Sequence, residues 1–221
     1  MKKVIKSQLK QLYRNILKFL PTKLVLNIEN LRGYHKLINL KNPKYFGEKI
    51  QCLKIYGNLE RYEEYVDKYK VREIVKKKIG SKYLIPLLEV YDDPEDINYE
   101  KLPNSFVIKL NTGSGYNIIV ENKNEVNKKN IIKTLKKWLK EDYYKIKKEN
   151  QYKGIKKKIL IEQYIKNENN DLQDFKFYCF DGKIEFIEVD FNRFSNHTMN
   201  FYDENWNLLK LEKGKYKNYN E

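Results

Sequence analysis

Cysteine is almost missing: the 221 residues hold two, Cys52 and Cys179, far apart and outside any CxxC pairing. This excludes a disulfide framework, argues against a cysteine-built zinc site, and fits a reducing cytoplasmic compartment. Long apolar runs are missing too. Nothing approaches the roughly 20 residues a membrane-spanning helix needs. Residues 1–20 lack the compact apolar segment and small-residue cleavage site of a signal peptide. The expected location is therefore the cytoplasm, with the inner face of the cell membrane left open. Arginine is scarce, limited to Arg14, Arg32, Arg61, Arg72 and Arg193 among 45 basic residues. A formal charge of +15 invites a polyanion ligand, because clustered cations neutralise phosphates. Yet the planar guanidinium fork suited to phosphates and guanine edges is rare here. Lysine instead accompanies Asn, Ile and Tyr, which share A- and T-rich codons, so drift in coding composition accounts for the excess. No nucleic-acid partner is expected.

What is present is long enough for one large domain or two small ones. Val4, Ile5, Leu9, Leu12, Ile16 and Phe19 recur at helical spacing among lysines, which predicts a basic amphipathic helix ending before Pro21. Its apolar stripe suits either an anionic membrane surface or packing on the rest of the chain. A loop-like stretch runs to Pro43, followed by a short helix over 46–56. The composition over 61–79 predicts one helix stopped by Gly80, and 83–91 reads as a strand with Pro86 at an edge or entry position. The runs 106–110 and 117–120 predict a hairpin across a glycine-bearing loop. Residues 128–148 read as a long lysine-covered helix, 159–165 as a strand, and 175–180 with 184–190 as a hairpin turning on Asp181-Gly182. The order implies an α+β chain, divided as 1–57, 58–150 and 151–221.

Three segments have the residue types for chemistry. In FVIKLNTGSGYNIIV a strand delivers Lys109, and the backbone N–H groups of Thr112, Gly113, Ser114 and Gly115 are of a kind that surrounds phosphate oxygens; the same pattern is also an ordinary turn. In ILIEQYI, Glu162 interrupts an apolar strand, either facing solvent or, with the following main chain, reading a purine edge. In DFKFYCFDG, Asp174 and Lys176 share one strand face by the period-two rule. Downstream, Asp190, Arg193, Asn196 and His197 gather a carboxylate, a guanidinium, an amide and an imidazole within eight positions.

Together with NPKYFGEKIQCLKIYG, DKYKVREIVKKKIG and NRFSNHTMNFYDENWNLL, in this order and spacing, these segments resemble the TupA-like branch of the ATP-grasp superfamily. The resemblance implies two α+β subdomains with the nucleotide between them, ATP and Mg²⁺ as cofactors, and a carboxylate–amine ligase of capsular or other surface-polysaccharide assembly. It further implies that Lys68 and Lys109 contact the nucleotide and that Thr112–Gly115 cover the phosphates. Glu162, Gln163, Tyr164 and Ile165 are implied to form the adenine hinge, with Asp174 also binding the cofactor. Lys176 and Arg193 are the implied catalytic cations, and Asp190, Arg193, Asn196 and His197 approach the substrate. The implied partners are a carboxylate-bearing glycan or polypeptide acceptor and an amino-compound donor. The Mg²⁺-holding Asp and Glu of such enzymes are expected on later strands than Glu188, Asp190 and Asp203, so the metal ligands stay unassigned and the second subdomain is expected to be incomplete. A nucleotide-binding protein without turnover, a glycosyltransferase and a basic polyanion-binding or membrane-associated protein are the alternatives; no convincing DxD signature supports the glycosyltransferase.

Overall fold

The computed structural model describes residues 2–166, 172–193, 195–214 and 216–219, without the side chains of 2–7, 10 and 11. It is α+β, with two four-stranded antiparallel sheets in two compact units, Met1–Tyr164 and Ile165–Glu221. The division falls later than the expected boundary at 150/151, because the strand at 159–163 pairs inside the first sheet.

The first unit begins with α1 (Lys2–Phe19) and α2 (Thr22–Tyr34). Helix α2 corrects the loop expected there. Its β-branched residues, asparagines and Gly33 give weak helical propensity, and its apolar residues do not follow a clean 3.6 period. Burial of Val25 and Leu26 offsets this. Two side chains then fix its exit: Asn27 Oδ1 accepts from Ile38 N at 3.1 Å, and Asn30 Nδ2 donates to the Lys36 carbonyl at 2.7 Å. Helix α1 buries Leu17 but leaves Leu9, Leu12, Ile16 and Phe19 exposed, so its apolar stripe is not packed on the unit. Helix α3 (Phe46–Tyr56) forms where expected. Glu48 closes its start by accepting N–H bonds from Asn39, Lys44 and Tyr45.

The single helix expected over 61–79 is two, α4 (Glu63–Val66) and α5 (Val71–Ile79). Asp67 breaks it. Its Oδ1 accepts from Tyr69 N at 2.8 Å and Lys70 N at 3.3 Å, a local side-chain bond that competes with the helical ladder. Strand β1 (Leu87–Tyr91) then starts just after Pro86 and lies at a sheet edge, as the proline requires. Strands β2 (Phe106–Leu110) and β3 (Asn117–Val120) form the expected hairpin.

The long helix expected over 128–148 is also two, α6 (Lys128–Lys140) and α7 (Tyr143–Lys147). Lys157 Nζ donates to the carbonyls of Leu139 and Glu141 at 2.6 and 2.7 Å, satisfying terminal carbonyls and placing a cation at the negative end of the helix dipole. Replacing Lys157 with methionine is expected to lower stability by about 1 kcal/mol, read as a lower urea midpoint at unchanged slope.

Strand β4 (Ile159–Gln163) enters between β1 and β2, giving the order β1-β4-β2-β3. The core lies on one face of this sheet, where Phe106, Ile108 and Leu110 of β2 meet Ile159 and Ile161 of β4 beneath Ile131 and Leu135 of α6. Val107 and Lys109 therefore point to the opposite face, and Glu162, in register with Val107, is diagonal to Lys109 there.

The second unit is a meander of β5 (Asp174–Phe180), β6 (Lys183–Phe191), β7 (Thr198–Tyr202) and β8 (Leu208–Leu209), in that order across the sheet. Asp181 and Gly182 both adopt positive φ, 48° and 79°, as a type I′ turn demands.

Candidate functional site

In the first unit the site is assembled on the sheet face away from the core. Glu162 sits in a four-residue run of β4 that is buried throughout, with 6% of its side chain exposed, so the solvent-facing alternative is excluded. It survives burial because two cations meet it: Lys109 Nζ pairs with its Oε2, and Arg72 Nη1 lies 3.4 Å from Oε1. Arg72 is held by a 2.6 Å bond from Nη2 to the Ile85 carbonyl. Without partners a buried carboxylate is too costly to stay charged.

Lys68 joins this group through the break between α4 and α5. Its backbone N–H bonds to the Asn111 carbonyl at 2.8 Å and its Nζ to the Gly113 carbonyl at 2.6 Å. The turn is fastened by two buried polar side chains, Asp67 and Asn111. Asn111 Nδ2 donates to Asp67 Oδ1 and to the Lys156 carbonyl, both at 3.0 Å, while its Oδ1 accepts from Lys158 N at 2.8 Å. Burial, and then the nearby charge of Lys109, push the Lys68 ammonium below its ordinary pKa, only partly offset by Asp67 and Glu162. A negative charge placed beside both lysines opposes that shift. Lys68, Lys109 and Arg72 thus meet two buried carboxylates, Glu162 and Asp67, and these side chains sum to one net positive charge.

The adjacent loop divides in two. Thr112 and Gly113 are buried while Ser114 and Gly115 are exposed. At Gly113, with φ of 69°, an added Cβ would stand 2.8 Å from both the Tyr116 and Tyr143 rings; the glycine is required by close approach as well as by its dihedral. Beneath it, Tyr116 donates to Glu141 Oε2 at 2.8 Å and its ring lies 5.4 Å from that of Trp138. Gln163 ends β4, donating its N–H to the Pro86 carbonyl at 3.0 Å, and Tyr164 and Ile165 follow outside the strand.

In the second unit, β5 and β6 bring together a different network. Lys176 Nζ bridges Glu188 Oε1, at 2.7 Å, and Asp190 Oδ2. Glu188 Oε2 also accepts from Tyr178 OH at 2.8 Å and Lys213 Nζ at 2.7 Å, and Asp190 Oδ1 meets His197 Nε2 at 2.7 Å. Both carboxylates are buried. Burial works to raise their pKa values, but the bonds from Lys176 and Lys213 to Glu188, and from Lys176 and His197 to Asp190, outweigh it and hold both below the ordinary carboxylate range. Asp174, on the same strand as Lys176, pairs instead with Arg193; Arg193 and Asn196 are exposed.

Several contributors escaped the sequence reading, Asn111 and Glu188 among them. Asp67 and Arg72 lie in a segment where only Lys68 was assigned a role, although Arg72 is one of five arginines in a lysine-rich chain. Tyr178 continues the alternation of Asp174 and Lys176 and was open to the same rule. Lys213 follows β8, and no local pattern ties it to Glu188. Among the described residues, no three His, Cys, Asp or Glu side chains converge to hold a metal ion. Glu188 and Asp190 are already engaged by Lys176, Lys213 and His197 and do not fit Mg²⁺.

No curated protein and no solved structure gives a match. The family model described as TupA-like ATPgrasp matches residues 48–221, a span covering the Asp67–Asn111 turn, the Lys109–Glu162 pair and the whole second sheet, and the chain therefore belongs to the TupA-like ATP-grasp family.

Proposed function

We propose that this chain binds ATP and acts in amide formation, joining an amino compound to a carboxylate-bearing glycan or polypeptide of the bacterial surface. The observation that carries the reading is the net positive charge where Lys109 and Arg72 pair with Glu162 and Lys68 is bonded to the Gly113 carbonyl of the Thr112–Gly115 loop. In the proposed reaction a substrate carboxylate oxygen attacks the γ-phosphorus, the bond to the bridging oxygen breaks, and ADP leaves. The amine nitrogen of the donor then attacks the acyl carbon, forming the C–N bond as phosphate departs and the amine proton passes to solvent. Here the lysines offset charge on the phosphoryl oxygens, and the loop N–H groups and the Glu162–Ile165 segment position the nucleotide. Lys176 and Arg193 are proposed to act on the phosphoryl group, with Asp174 toward the cofactor and Asp190, Asn196 and His197 toward the substrate.

The ATP-grasp family uses ATP and Mg²⁺, and the described carboxylates do not fit the metal. That misfit favours a second reading, nucleotide binding without turnover. Calorimetric titration of the folded chain with Mg-ATP tests the shared element, and phosphate release separates the two readings. Saturable binding is expected; a folded chain that gives no heat at millimolar nucleotide overturns both.

A further inference from the structure

Helix α1 presents a feature the ATP reading does not use. Leu9, Leu12, Ile16 and Phe19 recur at three- and four-residue intervals and form one stripe along the helix. They are 60%, 57%, 51% and 88% exposed. The helix is fixed to its unit by another face: Leu17 is buried, the Arg32 guanidinium lies 4.6 Å from the centre of the Tyr13 ring, and Lys148 Nζ donates to the Leu20 carbonyl at 2.9 Å. Four large apolar side chains aligned in solvent on an anchored helix are uncommon on a free surface.

Charge identifies the occupant. By sequence, α1 contains five lysines, one arginine and no carboxylate. Lys18, next to Phe19 in sequence but ~100° from it around the helix, lines a cleft of about 740 Å³ with Lys129, Lys133, Lys136, Lys137 and Lys140 of α6. Six lysines stand against two carboxylates there, Glu95 and Glu141, so the lining keeps an excess of four formal positive charges. A second copy would bring an equally cationic helix and a further formal charge of +15, so self-association over this stripe is opposed by repulsion. A bilayer rich in anionic phospholipid supplies what both features require, an apolar boundary for the stripe and phosphates for the lysines.

We propose that α1 is an interfacial anchor: its apolar stripe enters the headgroup boundary of an anionic lipid surface, while the lysine cleft it shares with α6 takes lipid phosphates. The anchor is independent of nucleotide binding, and its test does not depend on ATP.

The full chain is floated with vesicles of phosphatidylcholine alone, and with vesicles in which about a third is phosphatidylglycerol, at low salt and at about 0.5 M salt. Flotation is expected only with the anionic vesicles, weakened by salt. Leu12→Gln with Ile16→Gln should reduce it by about tenfold or more, and Lys133→Glu with Lys137→Glu by a similar factor. Because all four positions lie outside the folded core, circular dichroism should match the parent. Flotation indifferent to lipid charge, or unchanged by the stripe variant, overturns the proposal. So does concentration-dependent dimerisation in sedimentation that the stripe variant abolishes, which would assign the stripe to a second copy.

Discussion

Alanine at Lys109 is expected to weaken ATP binding by about 10- to 100-fold, the range for losing one hydrogen bond to a charged group, about 1.5–3 kcal/mol. The substitution also leaves Glu162, with 6% of its side chain exposed, to Arg72 alone at 3.4 Å, which weakens the local excess of positive charge a phosphate would meet. A merely structural role for Lys109 would lower the melting temperature and leave the affinity unchanged in the folded variant. Titration calorimetry and thermal melting on one preparation separate these outcomes, and an unchanged affinity removes the Lys109–Glu162 face from the nucleotide site.

The second large effect is expected at Lys176→Met. Lys176 bridges two buried carboxylates, and removing one partner of a buried ion pair typically costs about 3–5 kcal/mol. Its side chain is 42% exposed, and Lys213 and His197 remain, so the expected loss at neutral pH is discounted to about 3 kcal/mol. The sign of the pH dependence follows from the depressed pKa values of Glu188 and Asp190. A depressed carboxyl contributes stability that is complete above its unfolded pKa, ordinarily 4.5 for Glu and 3.8 for Asp, and lost as pH falls through the lower folded value. The gap between parent and variant should therefore be wide at pH 7 and narrow below about pH 4. Lys176, raised above its ordinary 10.5 despite burial, by Asp190 and then Glu188, contributes fully at neutral pH and loses that contribution only as pH rises through its folded value. The chain has two tryptophans, Trp138 in the first unit and Trp206 in the second. In a Trp138→Phe background, fluorescence of Trp206 follows the second unit; a gap that stays constant with pH would show that the ion network does not set its stability.

Much of the architecture is legible because it is locally coded. Alternation over 106–110 and 174–180, the proline before β1, and the Asp181-Gly182 turn each follow from residue chemistry within a few positions. Breaks inside helices were not legible: Lys157 meets the end of α6 from outside it, and Asp67 ends α4 through local bonds to Tyr69 and Lys70, which a distant residue, Asn111, reinforces. The α2 helix was missed for the opposite reason, as burial of Val25 and Leu26 overrides a weak local preference. At the site, charged residue types marked Lys109 and Glu162 and the family resemblance added Lys68, but their union needed the sheet register that sets Glu162 diagonal to Lys109. Lys213 shows the limit, since only the fold brings it to Glu188.

The Asp67–Asn111 fastening also bears on how the protein comes into being. Its bonds reach from residue 67 to 111, and from 111 to 156 and 158. During synthesis from the N-terminus, Lys68 emerges long before the segments that hold its turn, and Glu162 emerges later still. No nascent chain shorter than about this length has the fastened turn, so any stabilisation by nucleotide begins only after β4 has left the ribosome and entered the sheet. Until then the break at Asp67 has only its local bonds to Tyr69 and Lys70, and the helical preference of 61–79 competes with them unopposed by the rest of the fold.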